Sequence, residues 1–278
     1  YEIIKDSFNG IDLYAYFFPE DIELARKYLD YTKKYLLLYE KILGKFPFNR
    51  FSIVENFLPT GYSMPTYTVL GQDVVKLPFI VETSLGHEIL HQWFGNYVYI
   101  DYKKGNWAEG LTTYLADHLY EDQKGRGWEY RKKLITDYES YVIEDKEIAL
   151  KDFISRTDFL TKAIGYGKSS MVFHMLRKMV GEDLFYKSIG DIISEKKLQR
   201  ASWNDIKVIF EKNSGKDLTN FFTQWIDEKG IPEIEIENVT IKARGSNFEL
   251  SFDIIQKNKS YLLEIPLKES LPLYLGTK

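Results

Sequence analysis

The chain contains no cysteine, which excludes disulfides and any thiolate-held metal while assigning no compartment. No apolar stretch approaches the length needed to cross a bilayer. Neither sign of charge dominates: 37 basic residues stand against 41 acidic ones, for a net charge of −4. There is no basic run with interleaved aromatics, so nothing points to a nucleic-acid partner. Histidine is scarce too, with only His87, His91, His118 and His174 in 278 residues. Apolar side chains are plentiful: 44% hydrophobic and 16% aromatic content suffices for a packed core. The length accommodates one large domain and part of another. The chain opens on Tyr1 and closes in strand-like sequence. It reads as a piece of a longer protein, so a missing leader says nothing about localisation.

Periodicity divides the chain. Residues 1–18 alternate loosely and end in Tyr14-Ala15-Tyr16-Phe17-Phe18, which predicts strands. From Asp21 an amphipathic helix follows, with Ala25, Tyr28, Leu29, Tyr35, Leu36, Tyr39, Ile42 and Leu43 on one side and Gly44 as its stop. Phe51-Ser52-Ile53-Val54 and Thr68-Val69-Leu70 predict two more strands. After Ser84 the pattern is helical almost throughout to Lys229. Beyond Pro232 the period becomes two, at Ile234/Ile236, Val239/Ile241, Phe248/Leu250/Phe252 and Leu263/Ile265/Leu267, with a turn at Arg244-Gly245-Ser246-Asn247. A boundary near residue 231 follows, giving 1–230 and 231–278. Three or four strands are too few to close a sandwich. No internal repeat or low-complexity tract is present.

His87-Glu88-Ile89-Leu90-His91 decides the chemistry. On a helix, positions i and i+4 share a face, so both imidazoles can aim at one point. Glu88 lies one residue round, close enough to hold a water beside that point but poorly placed to be a ligand. This is the two-histidine zinc helix of metallopeptidases, with the glutamate as general base. Catalytic zinc keeps three protein ligands and one open position. Glu109, eighteen residues past His91, falls on a second helical pattern with apolar positions 107, 111, 114, 115 and 119. His118 is nine residues further, a rotation of about 900°, so it faces away from Glu109. Asn106-x-x-Glu109 is also capping-box spacing, an alternative use for the carboxylate. Thr113, one turn after Glu109, faces the same side and is placed to orient a ligand histidine.

His87-Glu88-Ile89-Leu90-His91-Gln92-Trp93-Phe94-Gly95-Asn96, followed by Asn106-Trp107-Ala108-Glu109-Gly110, resembles the alanyl-aminopeptidase and leukotriene-hydrolase family of gluzincins. Leu36 to Pro47 resembles the helix and turn that open that catalytic domain. Phe221 to Trp225, with Gly230-Ile231-Pro232, resembles the passage into the family's β-sandwich. The resemblance implies an α+β, thermolysin-like catalytic domain, mostly helical after a small β-containing N-terminal lobe, then part of a β-sandwich. It also implies one zinc ion (Zn²⁺), held by His87, His91 and Glu109, and a peptide substrate. Tyr166, before Gly167-Lys168-Ser169-Ser170, matches the family's Tyr-x-Lys-Gly segment, whose tyrosine stabilises an oxyanion. Gly165 and Gly167 favour an unusual backbone there.

One segment departs from the family. The usual Gly-x-Met-Glu-Asn, whose glutamate grips the substrate's α-amine, is replaced by Gly61-Tyr62-Ser63-Met64-Pro65. No glutamate stands in it, and it lies closer to His87 than the family pattern predicts. Gly61, Tyr62, Ser63 and Met64 remain expected substrate contacts, while Glu55 or Glu82 stands near enough in sequence to replace the amine grip. An aminopeptidase is the first expectation. A zinc endopeptidase without strict amine selection is the second, and a non-catalytic binding scaffold the third.

Overall fold

A computed structural model describes residues 1–59, 61–245, 247–257 and 259–265. The chain forms two compact units, Tyr1–Lys229 and Gly230–Lys278.

The first unit begins with β1 (Glu2–Phe8) and β2 (Ile11–Phe17), an antiparallel pair turned at Asn9-Gly10. Strands β3 (Arg50–Asn56), β4 (Gly61–Met64) and β5 (Tyr67–Gly71) complete a sheet of order β1-β2-β3-β5-β4. β2, β3 and β5 are mutually parallel, and β4 returns antiparallel along the edge. Helix α1 (Ile22–Leu43) is the crossover that a parallel β2–β3 pair requires. Its buried positions, from Ala25 through Tyr28, Leu29, Thr32, Tyr35, Leu36 and Tyr39 to Leu43, recur at three and four residues, making one apolar stripe. It stops at Gly44, whose φ of 88° suits glycine.

Three tyrosines on that stripe carry hydroxyls into the core, and each finds a carbonyl on the segment that delivers the zinc-motif helix. Tyr28 donates to Val75 O at 3.0 Å, Tyr35 to Val81 O at 2.8 Å and Tyr39 to Gly86 O at 3.1 Å. That segment contains α2 (Gln72–Val75) and runs into α3 (Ser84–Leu90). Gly86 is needed in α3 because a Cβ there would collide with the Tyr120 hydroxyl and the Tyr35 ring. Its absence lets α1 and α3 approach closely.

The rest of the unit is helical: α4 (Ala108–Thr113), α5 (Leu119–Gln123), α6 (Gly127–Tyr141), α7 (Phe159–Lys162), α8 (Ser169–Val180), α9 (Glu182–Glu195), α10 (Trp203–Ser214) and α11 (Thr219–Phe222). Two joints between helices are π-helical, Tyr114–His118 between α4 and α5 and Ala163–Lys168 between α7 and α8. The expected near-continuous helix is interrupted after α3. Positive φ at Gly95 and Gly105 turns the chain, and β6 (Tyr99–Ile100) pairs in parallel with β7 (Arg200–Ala201). Trp93, Trp107, Tyr114, Phe153, Phe173, Phe185 and Phe210 fill the core between these helices.

The second unit contains β8 (Ile234–Arg244) and β9 (Asn247–Gln256), an antiparallel hairpin with a bulge between Glu237 and Thr240. The further strand expected at Leu263, Ile265 and Leu267 does not form at the first two, and Leu267 lies outside the described residues. Gln256 gives a reason: its side chain accepts from Tyr261 N at 2.7 Å and donates to Tyr261 O at 2.9 Å. The backbone groups that would start a ladder there are already used.

Candidate active site

α3 places His87 on its last full turn, and His91 follows directly after Leu90, still helical at φ −60°, with its N–H bonded to His87 O. The two rings stand 5.0 Å apart at 71°. Glu109 enters from α4. The Asn106 side chain braces the approach to that helix, its Oδ1 accepting from Ala108 N at 3.1 Å and its Nδ2 donating to Ile154 O, while its own N–H goes to Phe153 O. The capping-box use of Glu109 is therefore not realised. Glu109 Oε2 lies 3.5 Å from His87 Nε2 and 3.3 Å from His91 Nε2. Gly110 permits this approach, because a Cβ there would strike Ser169 at the start of α8.

The hydrogen bonds behind the rings fix which nitrogens point inward. His87 Nδ1 meets Asp117 Oδ2 at 2.8 Å, and His91 Nδ1 meets the Phe94 carbonyl at 2.9 Å. A carboxylate and a carbonyl only accept, so both Nδ1 atoms donate and, in the neutral rings, both Nε2 lone pairs face Glu109. Glu109 Oε2 is buried and has no hydrogen-bond partner. Three acceptor atoms thus converge within 4.8 Å of one another. Such a set is repulsive unless a cation or protons lie between. Two imidazoles and one carboxylate suit zinc with a position left open. The residues fit the metal.

Electrostatics agree with the geometry. Burial disfavours the charged imidazole, yet Asp117, Glu109 and Glu88 outweigh it and hold His87 well above its usual range. Burial likewise opposes charge on His91, but Glu109 raises it. Burial works against the charged Glu109 carboxylate, but the two histidines hold it well below the usual range. Glu88 differs: burial pushes its carboxyl up, with His91 and His87 pulling the other way. It lines the same cavity without joining the converging trio.

Tyr166 sits in the π-helical joint between α7 and α8, parallel to the His87 ring at 6.2 Å and 11°, and edge-on to Phe153. Burial raises its phenol, and the neighbouring Glu109 adds to this. The unusual backbone expected from the flanking glycines is this π turn, not a left-handed residue, since neither glycine has positive φ. Gly165 makes room for the Phe153 ring.

Several expectations are corrected. Thr113 Oγ1 is buried without a hydrogen-bond partner, and the orienting roles fall to Asp117 and the Phe94 carbonyl. Gly61, Tyr62 and Ser63 line the cavity, but Met64 does not; it is 41% exposed. The Ser63 hydroxyl donates to Glu88 O at 2.9 Å and accepts from Gln92 and Asn96 at 2.8 and 3.1 Å, tying β4 to the end of α3. Gly61 faces Glu88: a Cβ there would stand 3.5 Å from Glu88 Oε1. Neither candidate amine grip reaches the cavity. Glu55 is fully buried, its Oε2 accepting from Phe18 N at 2.7 Å, and Glu82 accepts from the Tyr31 hydroxyl. His118 is buried elsewhere, as its rotation predicted. Asp117, Gln92 and Asn96 escaped the sequence reading; only their place beside the motif marks them.

The model of the peptidase family M1 domain matches residues 79–225. A probable aminopeptidase 1 of Sulfurisphaera tokodaii is 25% identical over 88% of this chain and 32% of its own length. Aminopeptidase M1-C of Oryza sativa subsp. japonica is 29% identical over 62% of this chain and 20% of its own. The chain therefore spans about a third or less of these relatives. The crystal structure of an M1 zinc metallopeptidase mutant from Deinococcus radiodurans superposes with a TM-score of 0.63 at 17% identity, covering 84% of this chain and 53% of that one. A second structure of that mutant, bound to a Tyr-Ser-Ala substrate, gives 0.62. At these identities the structures speak for the fold.

Proposed function

The chain belongs to peptidase family M1, and on that premise we propose that the protein hydrolyses peptide bonds with one zinc ion held by His87, His91 and Glu109. The observation carrying the proposal is the convergence of three buried acceptor atoms beside a fourth group, Glu88, that stays out of the trio. When bound there, zinc supplies Lewis acidity, which acidifies water and polarises a carbonyl.

The protein's own residues do the rest. Glu88 takes the proton from the attacking water and delivers it to the leaving amine. A carboxyl raised by burial suits both halves of that transfer. The Tyr166 phenol, kept protonated by burial, donates to the oxygen that gains charge as the carbonyl is attacked. Asp117 and the Phe94 carbonyl hold the imidazoles at fixed rotation. Ser63 and Gln92 keep the β4 wall in register with α3.

The named relatives are aminopeptidases, which favours release of N-terminal residues. A second reading has its own support. The carboxylates lining the cavity are Glu88, Glu109, Asp117 and Asp137, and none stands on the Gly61–Ser63 wall to hold an α-amine. Hydrolysis without strict amine selection follows, and free and N-acetylated versions of one peptide separate the two readings. The proposal itself is tested by Glu88→Gln. That variant should retain one zinc per chain and lose about 10²- to 10⁴-fold in kcat; an unchanged rate refutes the base assignment.

A further inference from the structure

Strand β4 is four residues long and pairs with β5 alone, so its register needs anchors outside the ladder. The turn supplies one. Pro65 and Thr66 join β4 to β5, and Thr66 takes a φ of 74°, uncommon for a β-branched residue. Two bonds hold it there: Thr66 N donates to Gln92 Oε1 at 2.8 Å, and Ser52 N on β3 donates to Thr66 O at 2.9 Å. A slip of one residue would turn Tyr62 and Met64 inward. In the register observed they are 52% and 41% exposed, and Gly61 and Ser63 face α3.

These two inward residues meet the two ends of Glu88. Gly61 lies against its carboxylate, and the Ser63 hydroxyl donates to its backbone carbonyl at 2.9 Å. Helix α3 leaves that carbonyl open. A regular α-helix would direct Gln92 N to Glu88 O, but Gln92 N bonds to Ile89 O at 3.0 Å and His91 N to His87 O at 3.2 Å. The last turn tightens and skips Glu88 O, which has no backbone donor among the described residues. The direction of the serine bond is also forced. Gln92 Nε2 and Asn96 Nδ2 both donate to Ser63 Oγ, at 2.8 and 3.1 Å, so the hydroxyl proton is left for Glu88 O. Both amides are themselves anchored. Gln92 Nε2 donates to Met64 O at 2.9 Å as well, and Asn96 N bonds to His91 O at 3.1 Å.

We propose that Ser63 is a positioning residue for the general base: its hydroxyl holds the Glu88 peptide that the helix leaves unpaired, and so couples the cavity wall β4 to proton transfer. The inference rests on the peptidase reading above and adds the residue that aims the base. A base must lie within hydrogen-bond reach of the proton it takes, and a misplacement of about 1 Å can cost about 10²-fold in rate. Without the hydroxyl, Gln92 N is free to close the regular helical bond to Glu88 O. That would re-aim Glu88 and draw Gln92 away from the turn.

The test compares side chains that differ in the hydroxyl alone. Ser63→Thr keeps it, Ser63→Val matches threonine in shape without it, and Ser63→Ala removes it with least bulk. In zinc-loaded protein, Ser63→Ala and Ser63→Val should lower kcat about 10- to 100-fold with little change in KM and one zinc per chain, while Ser63→Thr stays within a few-fold of the parent. Hydrogen exchange supplies a readout independent of turnover. Amides of Gly61–Thr66 and of the turn after Glu88 should exchange faster in Ser63→Ala and Ser63→Val than in Ser63→Thr. Equal kcat in the threonine and valine variants, a rise in KM that matches the fall in kcat, or exchange unaltered by loss of the hydroxyl overturns the proposal. Absence of turnover in the parent protein counts instead against the peptidase reading, and the exchange comparison still decides whether Ser63 holds the end of α3.

Discussion

The molecule contains two histidine pairs with opposite surroundings. His87 and His91 face carboxylates: Glu109 in front, Asp117 behind and Glu88 beside them. Their affinity for positive charge is raised despite burial. His118 and His174, 5.5 Å apart, face arginines. Arg131 donates to His118 Nε2 at 2.8 Å, while Arg177 donates to the Tyr114 hydroxyl, which in turn meets His174 Nδ1. Burial and these cations push His118 down to about 4 and His174 to about 3. One pair attracts a cation and the other already stands beside two. Proximity of histidines therefore does not make a metal site; the charge of the neighbours decides.

That contrast can be broken at several points. Glu109→Ala removes the carboxylate in front of the first pair. The variant should lose stoichiometric zinc on dialysis and its activity with it, measured by elemental analysis beside a peptide assay. Full zinc occupancy would mean that the carboxylate is not a ligand. Tyr166→Phe leaves the pair intact and should lower kcat by about 10²-fold or more with little change in KM. An equal effect on both constants would make the phenol a binding group. Asp117→Asn removes the negative charge behind His87 and should weaken zinc about 10- to 100-fold, read by competition with a chelator. Unaltered affinity would show that the bond only sets ring rotation.

The smallest effect concerns the second pair. Because His118 has its folded value depressed to about 4, its unfolded form binds more protons between that value and about 6.5. Stability linked to it is fully present above about 6.5 and is lost as pH falls towards 4. Wild type should lose about 1–2 kcal/mol more than His118→Gln between pH 7.5 and 5, measured as urea midpoints. Zinc content should be the same in both proteins. Parallel pH profiles would show that His118 is not held neutral.

How much of this was legible in the sequence follows from what each feature depends on. The i, i+4 spacing of His87 and His91 is a consequence of helix pitch, so the pair could be read directly. The α1 stripe and the first strands were legible for the same reason of period. Glu109 needed the neighbouring His-Glu-x-x-His to outweigh the capping-box spacing, and it is the Asn106 side chain that accepts from Ala108 N at the start of α4. Asp117 and the exact aim of Tyr166 were hidden because each lies in a π-helical joint, where an extra residue in the turn re-aims side chains without a compositional sign. Thr113 was placed by regular helical geometry that ends just at that point. Glu55 looked available only because burial is a tertiary fact; its carboxylate is used to hold Phe18 N.

The three hydroxyls of Tyr28, Tyr35 and Tyr39 have a consequence for the ion itself. They rivet the stretch from Val75 to Gly86 to a 22-residue rod at successive points, independently of any metal. Zinc thus enters a socket whose near wall is already set, and stripping it should leave that wall standing.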